Sequence, residues 1–364
     1  MNKKNTGAYY TPVFLANFIS KRVLSHFEGS TNISILEPSV GDGVFVSELS
    51  KMTDIKIKLS ALDINQEELD KASEKWNKQH SVFTKIDFLE FSNTKKFSAI
   101  IGNPPYLRKS RLSKRQLELS KGIHLDEGLS EASVKNIWTA FLIKSNKMLN
   151  SDGVLAFVLP SELLQVKFAE EIREYLKKEF TRLEIFTFND LMFECKGQDT
   201  IVLFAFKKSN NKGEFFANID SAEALKSNSF SIKKNKRLVS SNVKWIHHSL
   251  TEEELTFIYN LKKGIQTINT YVSSKPGIVT AANNFFIIDR KTEKKYNLSR
   301  FTKPIIQNGL YVNGSVIFNN SNLENLETNN YPTRLLVLKD KDRISKKLRE
   351  YLALVYARCR GLNR

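Results

Sequence analysis

Residues 97–106 read Phe-Ser-Ala-Ile-Ile-Gly-Asn-Pro-Pro-Tyr, and this stretch decides the fold. The apolar run at 97–101 predicts a buried strand of a parallel sheet. The two prolines that follow cannot donate to a strand ladder, so the strand must end before them. Ligands of open α/β sheets bind in the crevice at such strand ends. The stretch therefore predicts that Asn103, the Pro104 carbonyl and the Tyr106 ring face a planar ligand that carries an amino group.

The strand predicted at 33–37 ends in an acidic residue and is followed by a glycine-containing turn. Glu37 closes the strand, and Gly41 and Gly43 lie in the turn before a predicted helix. Glycines let the backbone approach a ligand closely, and the helix N-terminus adds positive potential. The spacing differs from the dinucleotide fingerprint G-x-G-x-x-G, and a carboxylate at the strand end disfavours phosphate. The pattern therefore favours a cationic or amino-bearing ligand.

Two further strand ends carry acidic side chains. Asp63 ends a strand predicted at 57–63, where nucleoside-binding sheets hold ribose hydroxyls. The alternative is that Asp63 caps the helix that follows. Asp87 and Phe88 end a strand predicted at 82–88. There a carboxylate can accept from an exocyclic amino group and a ring can pack on a base.

Three segments outside these strands give local predictions. An amphipathic helix is predicted at 13–27, with Thr11 as its N-cap. Residues 107–135 are rich in lysine and arginine and show no clear period. Such a segment is typical of a lid, a polyanion contact or a disordered charged loop. The asparagine-rich stretch at 319–330 predicts another loop.

The alternation of elements from 33 to 206 predicts a doubly wound, mostly parallel α/β sheet with a late hairpin. A polar break at 207–213 predicts a domain boundary after residue 206. Residues 1–206 hold 28 lysines and arginines against 26 acidic residues, whereas residues 207–364 hold 28 against 13. This asymmetry favours catalysis in the first part and binding of a polyanion in the second. A solvated lysine-rich surface is the alternative.

Other features of the composition narrow the protein class. Two cysteines do not form a disulfide framework, which favours a reducing, cytoplasmic setting. No signal peptide is expected, and no apolar run is long enough to span a bilayer. The five histidines have no ligand spacing with either cysteine, so no structural metal is expected.

The order of the motifs resembles the gamma class of amino-methylating adenine DNA methyltransferases of restriction–modification systems. The matching elements are Tyr10-Thr11-Pro12, Glu37-Pro38 with Gly41 and Gly43, Asp63, Asp87-Phe88 and Asn103-Pro104-Pro105-Tyr106. The resemblance covers residues 7–206. Segments at 275–283 and 352–360 are similar to parts of the family's DNA-recognition region. Because such relatives continue further, the resemblance implies an incomplete recognition domain.

The resemblance implies a Rossmann-like methyltransferase domain at 1–206, a mixed α+β DNA-recognition domain at 207–364, and S-adenosylmethionine as the cofactor. The residues implied to bind the cofactor are Tyr10, Thr11, Glu37, Pro38, Gly41, Gly43, Asp63, Ile64, Asp87 and Phe88. The residues implied to be catalytic are Asn103, Pro104 and Tyr106. The residues implied to contact the target base or the DNA are Pro105, Phe193, Arg108 and Lys109.

The activity implied is methylation of a flipped-out adenine in double-stranded DNA, which protects that DNA from a cognate restriction endonuclease. Two alternatives stay open at this point. The same tetrapeptide serves enzymes that methylate RNA or protein glutamine, and the chain could be a DNA-binding subunit with a relic catalytic domain. The Tyr-Thr-Pro segment and the basic second part favour DNA. The intact tetrapeptide favours an enzyme.

Overall fold

The computed structural model falls into two compact units, Met1–Lys263 and Gly264–Arg364. The residues that the structure describes are 11–52, 55–189, 200–234, 244–245, 250, 252–273, 277–278, 280, 282–312, 314, 316–339 and 343–361. Tyr10 and Phe193, both predicted site residues, lie outside the described residues.

A nine-stranded sheet forms the centre of the first unit. Its strands are β1 (Asn32–Glu37), β2 (Lys56–Asp63), β3 (Ser81–Lys85), β4 (Phe97–Gly102), β5 (Leu149–Pro160), β6 (Arg182–Phe188), β7 (Thr200–Phe206), β8 (Gly213–Ile219) and β9 (Lys233–Lys234). The helices described in this unit are α1 (Val13–Ser25), α2 (Val44–Ser50), α3 (Gln66–Glu74), α4 (Lys114–Leu125), α5 (Ile137–Met148), α6 (Glu162–Gln165), α7 (Glu170–Glu179), α8 (Ala222–Lys226) and α9 (Glu252–Gly264).

The strand order is β3-β2-β1-β4-β5-β7-β6-β8-β9. Strands β1 to β5 pair in parallel, and β7 is antiparallel to both β5 and β6. The doubly wound sheet with a late hairpin is therefore confirmed. Alternate side chains of β1 enter different clusters: Ile33 and Ile35 pack on one face and Leu36 on the other. Burial on both faces explains why the strands read as continuous apolar runs.

The basic segment after the tetrapeptide is ordered, so its prediction as a loop is wrong. Helix α4 begins after a capping box in which the side chains of Ser113 and Gln116 each accept from the other's backbone N–H. Ser120 and His124 are fully buried on the inner face of α4. Because these buried residues are polar, the helix has little hydrophobic period in sequence. Its start signal, S-x-x-Q, is nevertheless present.

Two other local predictions are wrong. Thr11 does not cap α1; Pro12 occupies the N-cap position, and its carbonyl accepts from the N–H groups of Leu15 and Ala16. The asparagine-rich stretch forms a helix rather than a loop. Asn319 and Asn322 build a capping box there. Asparagine is a strong cap as well as a turn residue, so composition alone could not separate the two outcomes.

The main sheet continues past the predicted domain boundary at 206. Strand β8 pairs in parallel with β6 along its whole length, from Gly213 to Ile219. The compact unit therefore ends at Lys263, after the sheet has gained β8 and β9. The polar break at 207–213 is a turn within the first unit.

The second unit is small and mixed α+β. Its described elements are α10 (Asn283–Phe286), β10 (Ile287–Ile288), α11 (Arg290–Lys295), β11 (Thr302–Pro304), α12 (Asn320–Thr328), β12 (Arg334–Leu336) and α13 (Lys346–Gly361). The three strands pair antiparallel in the order β10-β12-β11. The buried apolar cluster consists of Ile288, Leu298, Phe301, Leu336, Leu348 and Tyr351. Glu293 is buried beside it and accepts from Arg290 and Thr302.

Over the described part of both units, every helix is too short or too polar to cross a lipid bilayer.

Candidate active site

The carboxyl ends of β1, β2 and β4 lie side by side because β1 pairs with both other strands in parallel. They end at Glu37, Asp63 and Gly102. Strand β3 pairs with β2 and ends at Lys85, so Asp87 and Phe88 lie in the turn just beyond it. The sheet therefore brings the predicted strand-end residues to one edge, as the sequence pattern required.

Asn103 follows β4 directly, and its hydrogen bonds to other described residues include one to Thr11 and one to Ser39. Its side-chain Nδ2 donates to Thr11 Oγ1 at 3.2 Å, and its backbone carbonyl accepts from Ser39 Oγ at 3.2 Å. Thr11 is buried and lies just before α1, so the start of the chain positions the tetrapeptide. Since Nδ2 faces the hydroxyl, the amide presents Oδ1 as its acceptor end.

One carboxyl oxygen of Glu37 lacks a hydrogen-bond donor among the described residues. The residue is 1% exposed, and its Oε2 has no hydrogen-bond partner among the described residues. Burial raises the pKa of this carboxyl well above its usual value, and the neighbouring charges of Asp42 and Asp63 raise it further, whereas Lys75 lowers it. A buried carboxyl of this kind suits a cationic or hydrogen-bond-donating ligand group.

The glycine turn after β1 is fastened to Asp63. The N–H of Gly41 donates to Asp63 Oδ2 at 2.9 Å, and the N–H of Asn65 donates to Oδ1 at 2.9 Å. Asn65 itself is the N-cap of α3, so Asp63 is not that helix's cap. Gly43 has φ +74°, and a Cβ there would lie 2.7 Å from Cα of Ala72. Only glycine allows this close approach of the turn to α3.

The Asp87–Phe88 turn is held from two helices. Asp87 Oδ1 accepts from the N–H of Leu89 at 2.9 Å, and Oδ2 accepts from Gln116 Nε2 of α4 at 2.9 Å. From α5, Lys144 Nζ donates to the Leu89 carbonyl at 2.7 Å and lies 5.3 Å from the centroid of the Phe88 ring. Partial burial lowers the pKa of Lys144 to about 8. Phe88 is 1% exposed.

The rest of the tetrapeptide is packed against the sheet. Pro104 is buried, Pro105 is half-buried, and Tyr106 is 8% exposed in the same apolar cluster as Phe88.

The segment that follows the tetrapeptide is fastened at its base. Arg108 forms an antiparallel bridge with Asn136, and the N–H of Lys109 donates to the Lys135 carbonyl at 2.9 Å. The Arg108 side chain is exposed, and Lys109 is half-buried. Ile64 is exposed beside Asp63. Pro38 is buried between Glu37 and Ser39.

Several residues at this edge were not predicted from the sequence. They are Ser39, Asp42, Lys75, Gln116 and Lys144. Ser39 and Asp42 lie inside the motif that contains Glu37, so their position was a signal. Gln116 was detectable only through its capping box. Lys144 lies on a helix whose sequence is mostly apolar. Its hydrogen bond to the Leu89 carbonyl joins residues 55 positions apart, so no local pattern predicts it.

The described residues contain no group of three or more histidine, cysteine, aspartate or glutamate side chains arranged to hold a metal ion.

Two family models match the chain, one in each part. Residues 18–193 match the Eco57I restriction-modification methylase model. Residues 242–359 match the model of the C-terminal domain of the type II methyltransferase M.Eco57I. The first match includes the whole edge from Glu37 to Tyr106.

Curated relatives agree with these models. The type II methyltransferase M.AccI of Acinetobacter calcoaceticus is 24% identical over 82% of this chain and 56% of its own length. M.HincII of Haemophilus influenzae is 28% identical over 62% of this chain and 42% of its own length. The chain thus spans about half the length of the curated relatives it matches.

Solved structures share the fold over nearly the full chain. The DrdV–DNA complex matches with a TM-score of 0.59 at 14% identity, over 93% of this chain and 44% of that one. The type IIL restriction-modification enzyme MmeI in complex with DNA matches with a TM-score of 0.54 at 14% identity, over 97% and 54%. Motifs, fold and family models agree: residues 18–193 are similar to the Eco57I restriction-modification methylases, and residues 242–359 to the C-terminal domain of the type II methyltransferase M.Eco57I.

Proposed function

We propose that this protein is an S-adenosylmethionine-dependent DNA methyltransferase that modifies the exocyclic amino group of adenine. The observation that carries the proposal is the placement of Asn103. Its amide is oriented by Thr11, and it stands at the same sheet edge as the buried, unsatisfied carboxyl of Glu37. An amide acceptor for an amino substrate and a carboxyl for a cationic group are the two elements that amino methylation requires.

The residues at the edge fit the proposed cofactor. Glu37 would hold its ammonium-bearing methionine end, since the orphaned Oε2 needs a donor. Asp63 would accept from the ribose hydroxyls with the second lone pair of each oxygen, and Asp87 would accept from the adenine amino group. When bound, S-adenosylmethionine supplies an electrophilic methyl group. Thr11, Pro38, Gly41, Gly43, Ile64 and Phe88 complete the proposed pocket, together with Tyr10.

The proposed catalytic residues act on the target amino group. That nitrogen is a poor nucleophile because its lone pair is delocalised into the ring. Asn103 Oδ1 and the Pro104 carbonyl would each accept one of its N–H bonds, which shifts the nitrogen towards tetrahedral geometry and localises the lone pair. No general base is required, because the proton is lost to water after transfer. Catalysis then comes from positioning and electrostatics.

Access to the target requires that the base leave the duplex. Tyr106 is proposed to stack on the flipped ring, with Phe193 on its other side, and such stacking contributes about 1–3 kcal/mol per base. Pro105, Arg108 and Lys109 are proposed to contact the base or the neighbouring DNA. The basic region 207–364 is proposed to recognise the duplex, and a cognate restriction endonuclease is the proposed biological partner.

The test is methyl transfer from isotope-labelled S-adenosylmethionine to duplex DNA, with the product digested and its nucleosides separated by mass spectrometry. We expect the label in N6-methyl-2′-deoxyadenosine from the DNA and none in methylated deoxycytidine. RNA and a glutamine-containing peptide serve as competing substrates. Label in either of those substrates instead, or cofactor binding with no transfer to any DNA library, would contradict the proposal.

A further inference from the structure

We propose that Gln116 is a positioning residue of the cofactor site, which orients the Asp87 carboxylate towards the purine amino group of the cofactor. The inference rests on the proposed function, because it takes S-adenosylmethionine as the ligand. It adds a residue from α4, a helix in the basic segment that follows the tetrapeptide. Sequence motifs of the site do not include this residue.

Both oxygens of the Asp87 carboxylate are held by hydrogen bonds. Its two carboxylate oxygens receive one fixed donor each, the Leu89 N–H on Oδ1 and Gln116 Nε2 on Oδ2, both at 2.9 Å. The backbone donor alone leaves the carboxylate free to rotate about its terminal torsion, which is broad and soft. The second donor fixes the plane of the group. Each oxygen keeps one further lone pair, and the direction of those lone pairs is then set.

The side chain of Gln116 is itself held in place by Ser113 at the helix cap. Its Oε1 accepts from the N–H of Ser113 at 3.2 Å and lies 3.3 Å from Ser113 Oγ, while its own N–H donates to Ser113 Oγ at 3.1 Å. The amide oxygen therefore faces the helix cap, and the amide nitrogen faces Asp87. Both partners require the same orientation of the amide, so the donor assignment follows from the hydrogen-bond network.

The helix that carries Gln116 is held by contacts at both of its ends. At its other end, His124 is buried with Nδ1 2.7 Å from Ser133 Oγ and Nε2 2.9 Å from Thr139 Oγ1 of α5. Burial lowers the pKa of His124 to about 4, so the ring stays neutral at physiological pH and the contact persists. A side chain on a helix pinned at both ends holds its partner more accurately than one on a loop.

The charge of the donor also matters. A neutral amide orients Asp87 without cancelling its negative charge, which the ligand's amino group needs as an acceptor. The nearby cation Lys144 interacts with the charge of Asp87 over a distance, but its Nζ donates to the Leu89 carbonyl and lies beside Phe88. Gln116 thus orients the Asp87 carboxylate, and Lys144 contacts the Phe88 ring.

The test uses Gln116→Glu in the full chain. Glutamate at this position keeps an acceptor for the Ser113 N–H, so the capping box survives, but a carboxylate replaces the donor that faced Asp87. Binding of S-adenosylhomocysteine is measured by calorimetry. A second ligand is its analogue in which hydrogen replaces the purine amino group. Glu118→Gln is the matched control, because Glu118 is an exposed residue of the same helix.

We expect Gln116→Glu to weaken S-adenosylhomocysteine binding about tenfold or more, as loss of a charge-assisted hydrogen bond does. Binding of the deamino analogue should change less than threefold, since it makes no contact through the missing group. In turnover, the KM for the cofactor should rise while kcat at saturation stays within about twofold. Glu118→Gln should leave the affinity for both ligands unchanged.

Two results would overturn the inference. Equal weakening for both ligands would mean that Gln116 only supports the pocket wall, and unchanged affinity for both would mean that it does not act on the site. A wild-type chain that binds neither ligand would instead remove the cofactor from the proposed function, and the inference would fall with it.

Discussion

The proposed catalytic edge of the first unit and the small second unit are built in opposite ways. At the edge, polar groups are buried among the carboxyl ends of long parallel strands, and Glu37 and Asn103 are fixed by the sheet beneath them. The second unit has strands of only two or three residues and six residues in its buried apolar cluster. It also exposes large apolar side chains, with Leu310 at 81% and Val316 at 100%.

Charge follows the same division. Residues 264–364 hold 17 lysines and arginines against 7 acidic residues, whereas residues 1–263 hold 39 against 32. A large core tolerates the cost of a buried, unsatisfied carboxyl, and a small core does not. The chemistry that we propose is therefore placed where packing is strongest, and the most basic part of the chain lies where packing is weakest.

The largest expected effect is on catalysis at the edge. Asn103→Ala removes the oriented acceptor for the target amino group, and kcat should fall by about 10²–10³, the range found when one preorganised polar group is removed. Affinity for S-adenosylhomocysteine should stay within about twofold. The matched control is Asn93→Ala, an exposed asparagine before β4. Undiminished transfer by Asn103→Ala would break the assignment of chemistry to this edge.

The next effect concerns the small core of the second unit. Leu298 is fully buried there, so Leu298→Ala should destabilise that unit by about 2–5 kcal/mol. Hydrogen exchange should show faster opening of residues 287–336 while the strands of the main sheet keep their protection. Leu310→Ala, at an exposed position, should change neither. Faster exchange in β1 and β4 as well would contradict the division into two separately stable units.

The sequence alone predicted those parts of the first unit in which the local pattern and the tertiary contacts favour the same structure. The apolar strands, the glycine turn and the polar strand ends all follow from short-range patterns, and the structure brings them to one edge. The fold class is confirmed because alternation of strands and helices determines a doubly wound sheet. The Asn103–Thr11 contact joins residues 92 positions apart, and no local pattern contains it.

The failures occurred where polar residues build helices. In α4 the buried face carries Ser120 and His124, and in α12 asparagines supply the cap. The spacing of apolar residues therefore did not predict either helix. The domain boundary at 206 was placed at a polar turn because nothing local indicates that β8 returns to pair with β6. Pairing between strands distant in sequence is set by the completed sheet and not by either strand alone.

A smaller effect should separate positioning from binding at the edge. Thr11→Val keeps the size of the side chain but removes the hydroxyl that accepts from Asn103 Nδ2. We expect kcat to fall about tenfold, which corresponds to one hydrogen bond of about 1.4 kcal/mol, because the amide loses its orientation. Thr11→Ser keeps the hydroxyl and should retain most of the activity. Equal activity in the valine and serine variants would show that the amide is oriented by other contacts.

The smallest effect tests whether the strongly packed edge carries a stability cost. Burial, followed by the charges of Asp42 and Asp63, raises the pKa of Glu37, so the folded state favours its protonated form. The stability that this preference contributes is fully present below the ordinary pKa of 4.5 and is lost as pH rises through the higher pKa of the folded state. Glu37→Gln removes the dependence. The ligand-free variant should therefore melt higher than the wild type at pH 8 by about 2–4 °C, the shift expected for roughly 1 kcal/mol, and by less at pH 5. Exposed Glu28→Gln is the control and should show no such trend. The same Glu37 variant should bind S-adenosylhomocysteine more weakly, because it lacks the carboxylate for the ammonium group.

The opposite pair of results would contradict both expectations for Glu37. If Glu37→Gln is less stable than the wild type at pH 8 and binds S-adenosylhomocysteine unchanged, the buried carboxyl serves packing and not the ligand.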